Sequence, residues 1–154
     1  MKRKPILFFV FLAVAAWCLG GCGKSGEQGA ESGEEVYTFT DDLGREVSVR
    51  SHERVAVLLG SYADMWYLAG GEVCAAPEDA FDDFDLPLSE GTVNLGETKR
   101  LSLELLLSTE PDLVLASTNT QQHLDWQQSL EGAGITTAYF DVACFEDYLR
   151  VLKI

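Results

Sequence analysis

The sequence predicts an α/β fold: a Rossmann-like, doubly wound parallel sheet with an N-terminal β-hairpin before it. Three observations carry this. Two short runs near residue 40 alternate apolar and polar positions about a turn. Further along, continuous apolar runs recur, as expected of strands buried on both faces of a parallel sheet. Between them lie helix-like segments bounded by Gly, Ser and Pro. Strands alternating with helices are the plan of a parallel sheet wrapped by helices on both sides.

In chain order, Val36-Tyr37-Thr38-Phe39-Thr40 alternates, Asp41-Asp42-Leu43-Gly44 reads as a turn, and Arg45-Glu46-Val47-Ser48-Val49 alternates again, giving the hairpin. Arg54 to Leu59 is the first buried strand. Gly60-Ser61 ends it, with Ser61 a candidate N-cap for a helix from Tyr62 to Ala69 that stops at Gly70-Gly71. Val73 to Ala76 is a second strand. Residues 77–92 read as irregular and acidic. Ser102 caps a helix to about Ser108, and Pro111 marks its exit. Asp112 to Ser117 is the third strand, Thr120 to Gly132 an amphipathic helix, and Thr136 to Val142 the fourth strand. Phe145 opens another helix, which reaches Lys153-Ile154 without a cap; Phe145, Leu149 and Leu152 leave it an apolar stripe in need of a partner. We read the chain as a fragment on that ground.

The first 21 residues stand apart. Lys2, Arg3 and Lys4 precede an uncharged run from Ile6 to Leu19, which closes on Leu19-Gly20-Gly21-Cys22. A positive start, a short apolar core and small residues before the cut make a secretory signal peptide. The core is shorter than the roughly 20 apolar residues a membrane span needs. Leu-Gly-Gly-Cys resembles the lipobox of bacterial lipoproteins, which implies that Cys22 is acylated and becomes the new N-terminus; an uncleaved signal with an ordinary thiol is the alternative. Cys18 is no rival, because bulky Trp17 precedes it. Residues 23–35 then form a spacer of mainly Gly, Ser and Glu that cannot bury apolar surface. The expected organisation is a signal at 1–21, a lipidated Cys and linker at 22–35, an α/β lobe at 36–144 and the start of a truncated helix at 145–154. The expected home is extracytoplasmic, lipid-anchored to the cell membrane.

Composition narrows the function. Removing residues 1–21 leaves eight basic against 25 acidic residues, a net charge of −17. Such a chain will not bind nucleic acid by counterion release, and an anionic membrane surface repels it, so the lipid must anchor it. The apolar content of 47% and the length fit one domain with one core. No Cys-x-x-Cys pair or zinc spacing is present, and His52 and His123 lie far apart in the chain. No metal site is expected. No Gly-x-Ser-x-Gly elbow, Walker loop or dinucleotide glycine pattern is found either, so no catalytic residue is assigned.

Three stretches together resemble a family: Tyr37 to Val47, Glu53 to Val57, and Ser102-Leu103-Glu104-Leu105-Leu106-Leu107-Ser108-Thr109-Glu110-Pro111-Asp112-Leu113-Val114-Leu115-Ala116. They resemble the substrate-binding lipoproteins of ABC importers for ferric siderophores, haem and cobalamin. The last stretch is similar to that family's Asn-Leu-Glu … Pro-Asp segment, with Ser102 where Asn is common. Leu130 to Ile135 and Phe145-Glu146-Asp147 fit the later pattern. The resemblance implies one lobe of a two-lobe periplasmic-binding-protein fold, with the interlobe helix starting near Phe145 and half the ligand site lying in a second lobe. It also implies the strand order second, first, third, fourth. Cys74 then sits on an edge strand, three spacings of about 4.8 Å, or roughly 14 Å, from Cys144. A disulfide needs its Cα atoms within about 7 Å.

Ligands of open α/β sheets bind at the carboxyl ends of the strands. That rule selects Ser61 and Tyr62 after the first strand, Asp79 after the second, Thr98 in the loop that follows, and Asn119 and Thr120 after the third. Tyr62 or Phe81 would form a flat apolar wall, while Trp66 reads as core. Ser61, Ser117 and Asn119 could equally be helix caps. The acidic run Glu78 to Asp85 is a solvated loop unless the ligand is cationic. The resemblance implies that Glu104 lies on the lobe's outer face and pairs with an Arg of the permease, a role suited to a carboxylate near a helix N-terminus. The expected partners are thus an ABC permease at the Glu104 face, a metal-chelate small molecule and, through the lipid, the membrane. No cofactor is expected; the ligand itself would carry the iron or cobalt. The competing readings are a lipoprotein that uses the lobe only for partner binding, and an extracytoplasmic α/β enzyme.

Overall fold

The computed structural model describes residues 36–84 and 86–154. The expected signal peptide, lipidated Cys22 and linker lie outside the described residues. Strands β1 (Tyr37–Thr40) and β2 (Glu46–Val49) pair antiparallel. The turn between them is built by Asp41, whose Oδ1 accepts from Leu43 N at 3.1 Å and Arg45 N at 2.9 Å, with Gly44 supplying φ +76°. The Arg45 guanidinium binds Asp41 Oδ2 at 2.6 Å, Glu131 at 2.8 Å and the Thr137 carbonyl at 2.9 Å. It also lies 4.8 Å from the centroid of the Tyr139 ring. One side chain therefore ties the hairpin to the far edge of the main sheet.

That sheet is wholly parallel. It comprises β3 (Val55–Val57), β4 (Val73–Ala76), β5 (Val93–Asn94), β6 (Leu113–Ser117) and β7 (Thr136–Phe140) in the order β5-β4-β3-β6-β7. Every residue of β3 and β6 is buried, the reason these stretches read as apolar runs, with Ser117 closing the second. One face carries a cluster built on Val55, Val57, Tyr62, Met65, Leu115 and Phe140, under the hairpin. The other carries Leu58, Leu95, Leu106, Leu130 and Tyr139. Helices α1 (Gly60–Leu68), α2 (Glu78–Asp82) and α5 (Phe145–Val151) accompany the first cluster, α3 (Leu103–Ser108) and α4 (Gln121–Gly132) the second. Covering both faces of the sheet is what double winding means, and each large aliphatic removed from water contributes about 1.5–3 kcal/mol.

Ser102 caps α3 as expected, accepting from Leu105 N. Four details differ from the sequence reading. First, residues 77–92 contain α2, and β5 follows directly at Val93–Asn94, where the sequence showed no strand. Second, β5 makes β4 an interior strand, so Cys74 is not at the edge; a two-residue strand has too few positions to show a period. Third, α1 starts at Gly60, with Leu59 as its N-cap residue, so Ser61 is not a cap. Fourth, the N-cap position of α4 falls to Thr120 rather than to Ser117 or Asn119, and no side chain caps the helix. Cys74 and Cys144 are both free thiols, the first half-buried, the second exposed.

Candidate functional site

Because all five strands run the same way, their carboxyl ends share one rim. The rim comprises Gly60 and Ser61 after β3, Pro77 to Asp79 after β4, Gly96 to Thr98 after β5, Thr118 to Thr120 after β6, and Asp141 to Cys144 after β7. Backbone bonds knit adjacent loops: Glu78 N donates to Gly96 O and Thr118 N to Phe140 O.

Of the residues selected from sequence, five lie at this rim. Ser61 is half-buried in the first turn of α1. Asp79 is half-buried in α2, and its Oδ1 is enclosed without a hydrogen-bond partner among the described residues. Thr98 is half-buried in the loop after β5, beyond Gly96, where φ is +97°. Asn119 is exposed; its N–H donates to Ser117 Oγ at 3.1 Å and its Nδ2 to Asp141 Oδ1 at 2.6 Å. Thr120 is half-buried at the start of α4.

Tyr62 is the exception. It is 1% exposed, packs edge-to-face on Phe140 and donates from its hydroxyl to Phe140 O at 2.9 Å. Burial pushes its pKa up to about 12. The ligand contact expected of it gives way to packing: α1 begins at Gly60, so Tyr62 lies inside its first turn and packs against the sheet. Phe81, too, packs against the core. The aromatic ring at the rim is instead Phe84, which lies over Gly60; a Cβ built on Gly60 would come 2.8 Å from Phe84 Cε2 and 2.9 Å from Asp79 Cγ. Gly60 itself was the signal: it reads as a strand terminator but is also the place where only a hydrogen fits.

His123, 0% exposed, is a support for the rim. Its Nδ1 accepts from Ser117 N at 3.1 Å, and burial lowers its pKa to about 4. At neutral pH the ring is uncharged and holds the end of β6. No three His, Cys, Asp or Glu side chains converge to hold a metal ion among the described residues. An apolar cleft of about 250 Å³ lies elsewhere, between the hairpin, α1 and the end of α5, lined by residues such as Phe39, Trp66, Leu113 and Ile154. Glu104 is exposed in the first turn of α3. No helix of the described residues is long and apolar enough to cross a membrane.

A parallel five-stranded sheet wound on both faces, with a polar rim at its strand ends and a stapled hairpin, is one lobe of a periplasmic-binding-protein fold. Known proteins of similar sequence and similar structure share this fold. The chain is 29% identical over 122 residues to the iron(3+)-hydroxamate-binding protein FhuD of Bacillus subtilis (strain 168), covering 76% of this chain and 38% of that protein. Its fold matches the siderophore-binding protein BauB, solved with two acinetobactin molecules and ferric iron (TM-score 0.57, 23% identity, 70% of this chain and 38% of that one). It also matches Staphylococcus aureus SirA complexed with staphyloferrin B (TM-score 0.59, 19% identity, 75% and 40%), and the haem-binding protein HmuT (TM-score 0.55, 19% identity, 76% and 39%). The chain thus spans about two fifths of the length of these relatives. No family model matches it.

Proposed function

We propose that this chain is the ligand-capturing lobe of an extracytoplasmic substrate-binding protein that delivers a ferric chelate to an ABC permease. The observation that carries the reading is the polar rim at the strand ends of a lobe related to a ferric-hydroxamate-binding protein. Ser61, Asp79, Thr98, Asn119 and Thr120 face the ligand, Phe84 offers it a flat apolar surface, and Tyr62 supports the rim from within. Glu104 meets the permease and Cys22 carries the lipid. The lobe does no chemistry; it binds and hands over.

The charge of the rim bears on the ligand. Glu78, Asp79, Glu97 and Asp141 bring carboxylates to it, while Arg100 lies 3.9 Å from Glu97 and Arg150 binds Asp42. A pair of like unit charges 4 Å apart costs about 1 kcal/mol even in water. A neutral or cationic ferric hydroxamate suits this surface better than a trianionic tris-catecholate or the propionates of haem. The test is a thermal-shift and tryptophan-quenching titration with a cationic ferric trihydroxamate, a ferric tris-catecholate, haemin and cyanocobalamin. Saturable binding of the trihydroxamate with no turnover is expected. Preference for the tris-catecholate or haemin would refute the charge argument, and binding of none of the four would refute the capture role of the lobe.

A further inference from the structure

The rim residue Asn119 is not held by its own loop alone. Its side-chain amide donates to Asp141 Oδ1 at 2.6 Å, across from the end of β6 to the end of β7. Asp141 is in turn fixed through both of its backbone polar groups. Its N–H donates to Asp42 Oδ2 at 2.7 Å, and its carbonyl accepts from Arg150 at 3.1 Å. The same Arg150 nitrogen donates to Asp42 Oδ2 at 2.8 Å. Asp42 is anchored by its own N–H on Tyr139 O at 2.9 Å. The hairpin turn, the last turn of α5 and the end of β7 therefore meet at one ion pair, and a rim side chain hangs from it.

Neither partner needs this pair for its own local structure. The hairpin turn is built by Asp41 and Arg45. The start of α5 is capped by Asp147, which accepts from Ala143 N, Cys144 N and Cys144 Sγ. Arg150 is 42% exposed along its side chain, and exposed pairs contribute little to global stability. What the pair does supply is a fixed backbone at Asp141, where β7 has already ended.

We propose that Arg150, through Asp42 and Asp141, is a positioning residue that presets Asn119 for ligand. This rests on the rim being the ligand site. Preorganisation of this kind raises affinity by removing the cost of ordering a polar group on binding.

Two readouts on the full chain test it: hydrogen exchange of the Asn119 side-chain amide without ligand, and affinity for a ferric trihydroxamate. Arg150→Met is expected to speed that exchange about tenfold and weaken binding about fivefold, with the thermal midpoint nearly unchanged. Arg150→Lys, which keeps the charge, should recover part of both. In a double-mutant cycle, Arg150→Met should add no further loss to Asn119→Ala. An unmoved Asn119 amide, or fully additive losses, would overturn the proposal. A mobilised amide in a chain that binds none of the chelates would uphold the positioning of Asn119 and overturn the capture role instead.

Discussion

The imidazole of His123 accepts a hydrogen bond from the backbone N–H of Ser117 at 3.1 Å, in a site closed to solvent. Because Nδ1 is the acceptor, the proton of the neutral ring sits on Nε2, which finds no partner among the described residues. A second proton would have to go onto Nδ1 and break the bond.

That geometry sets an acid sensitivity. The folded-state pKa of His123 is lowered to about 4 by burial, against an unfolded value near 6.5. The unfolded state therefore binds the extra proton first. Stability is unaffected above about pH 6.5, falls as pH drops from there to about 4, and levels off for this group below that. The loss is on the order of 3 kcal/mol. Urea unfolding from pH 7 to pH 4 should show a steeper decline in the native chain than in His123→Leu, the difference isolating this residue from the carboxylates. Parallel declines would show that His123 is reachable by protons in the fold.

Asp41 is the buried member of the pair with Arg45, its side chain fully enclosed. Asp41→Ala removes the turn acceptor and leaves the guanidinium, 25% exposed, short of its main partner. A loss of about 3 kcal/mol is expected, measured as a shift in the urea midpoint without change of slope.

Gly60 has no room for a side chain. Gly60→Ala sets a methyl against Phe84 and Asp79, and a cost of about 1–3 kcal/mol follows from overpacking. Because both neighbours are rim residues, ligand affinity should fall with stability. A crystal structure of the variant should show Phe84 displaced.

Tyr62 and Asn119 should separate packing from recognition. Tyr62→Phe removes one buried hydrogen bond, but Phe140 O still accepts from Thr118 N. The expected cost is about 1 kcal/mol of stability with affinity unchanged. Asn119→Ala should do the reverse. Isothermal titration and thermal melts on both variants decide it.

Glu104 should affect neither. Glu104→Lys, on an exposed first turn, is expected to alter stability by less than about 0.5 kcal/mol and leave ligand affinity intact. Its effect belongs in an uptake assay with the permease, where loss of transport is expected.

Several features were legible in the sequence. Apolar runs marked β3 and β6, because a strand buried on both faces leaves little room for polar residues; Ser117, at the end of β6, is the exception. The alternation about Asp41 to Gly44 marked the hairpin, and Ser102 marked the start of α3. Once strands and direction were known, the strand-end rule placed Ser61, Asp79, Thr98, Asn119 and Thr120 on one rim. What failed was local. Ser61 looked like a cap because its residue type favours that role, yet the helix began two residues earlier than expected, at Gly60, and Tyr62 lies in the core. Two-residue β5 and five-residue α2 are too short to leave a period.

Long-range partners were decided by the tertiary structure alone. Nothing in the chain says that Asp42 meets Arg150, that Arg45 reaches Glu131, or that His123 supports Ser117. Periodicity reports which face of an element is buried, since burial repeats with the element's own geometry. A polar side chain that crosses between elements appears once, at a position set by how those elements pack. The sequence by itself determined an α/β lobe and the strand-end rim on which the candidate residues lie; packing decided which side chains at that rim face outward and which hold them in place.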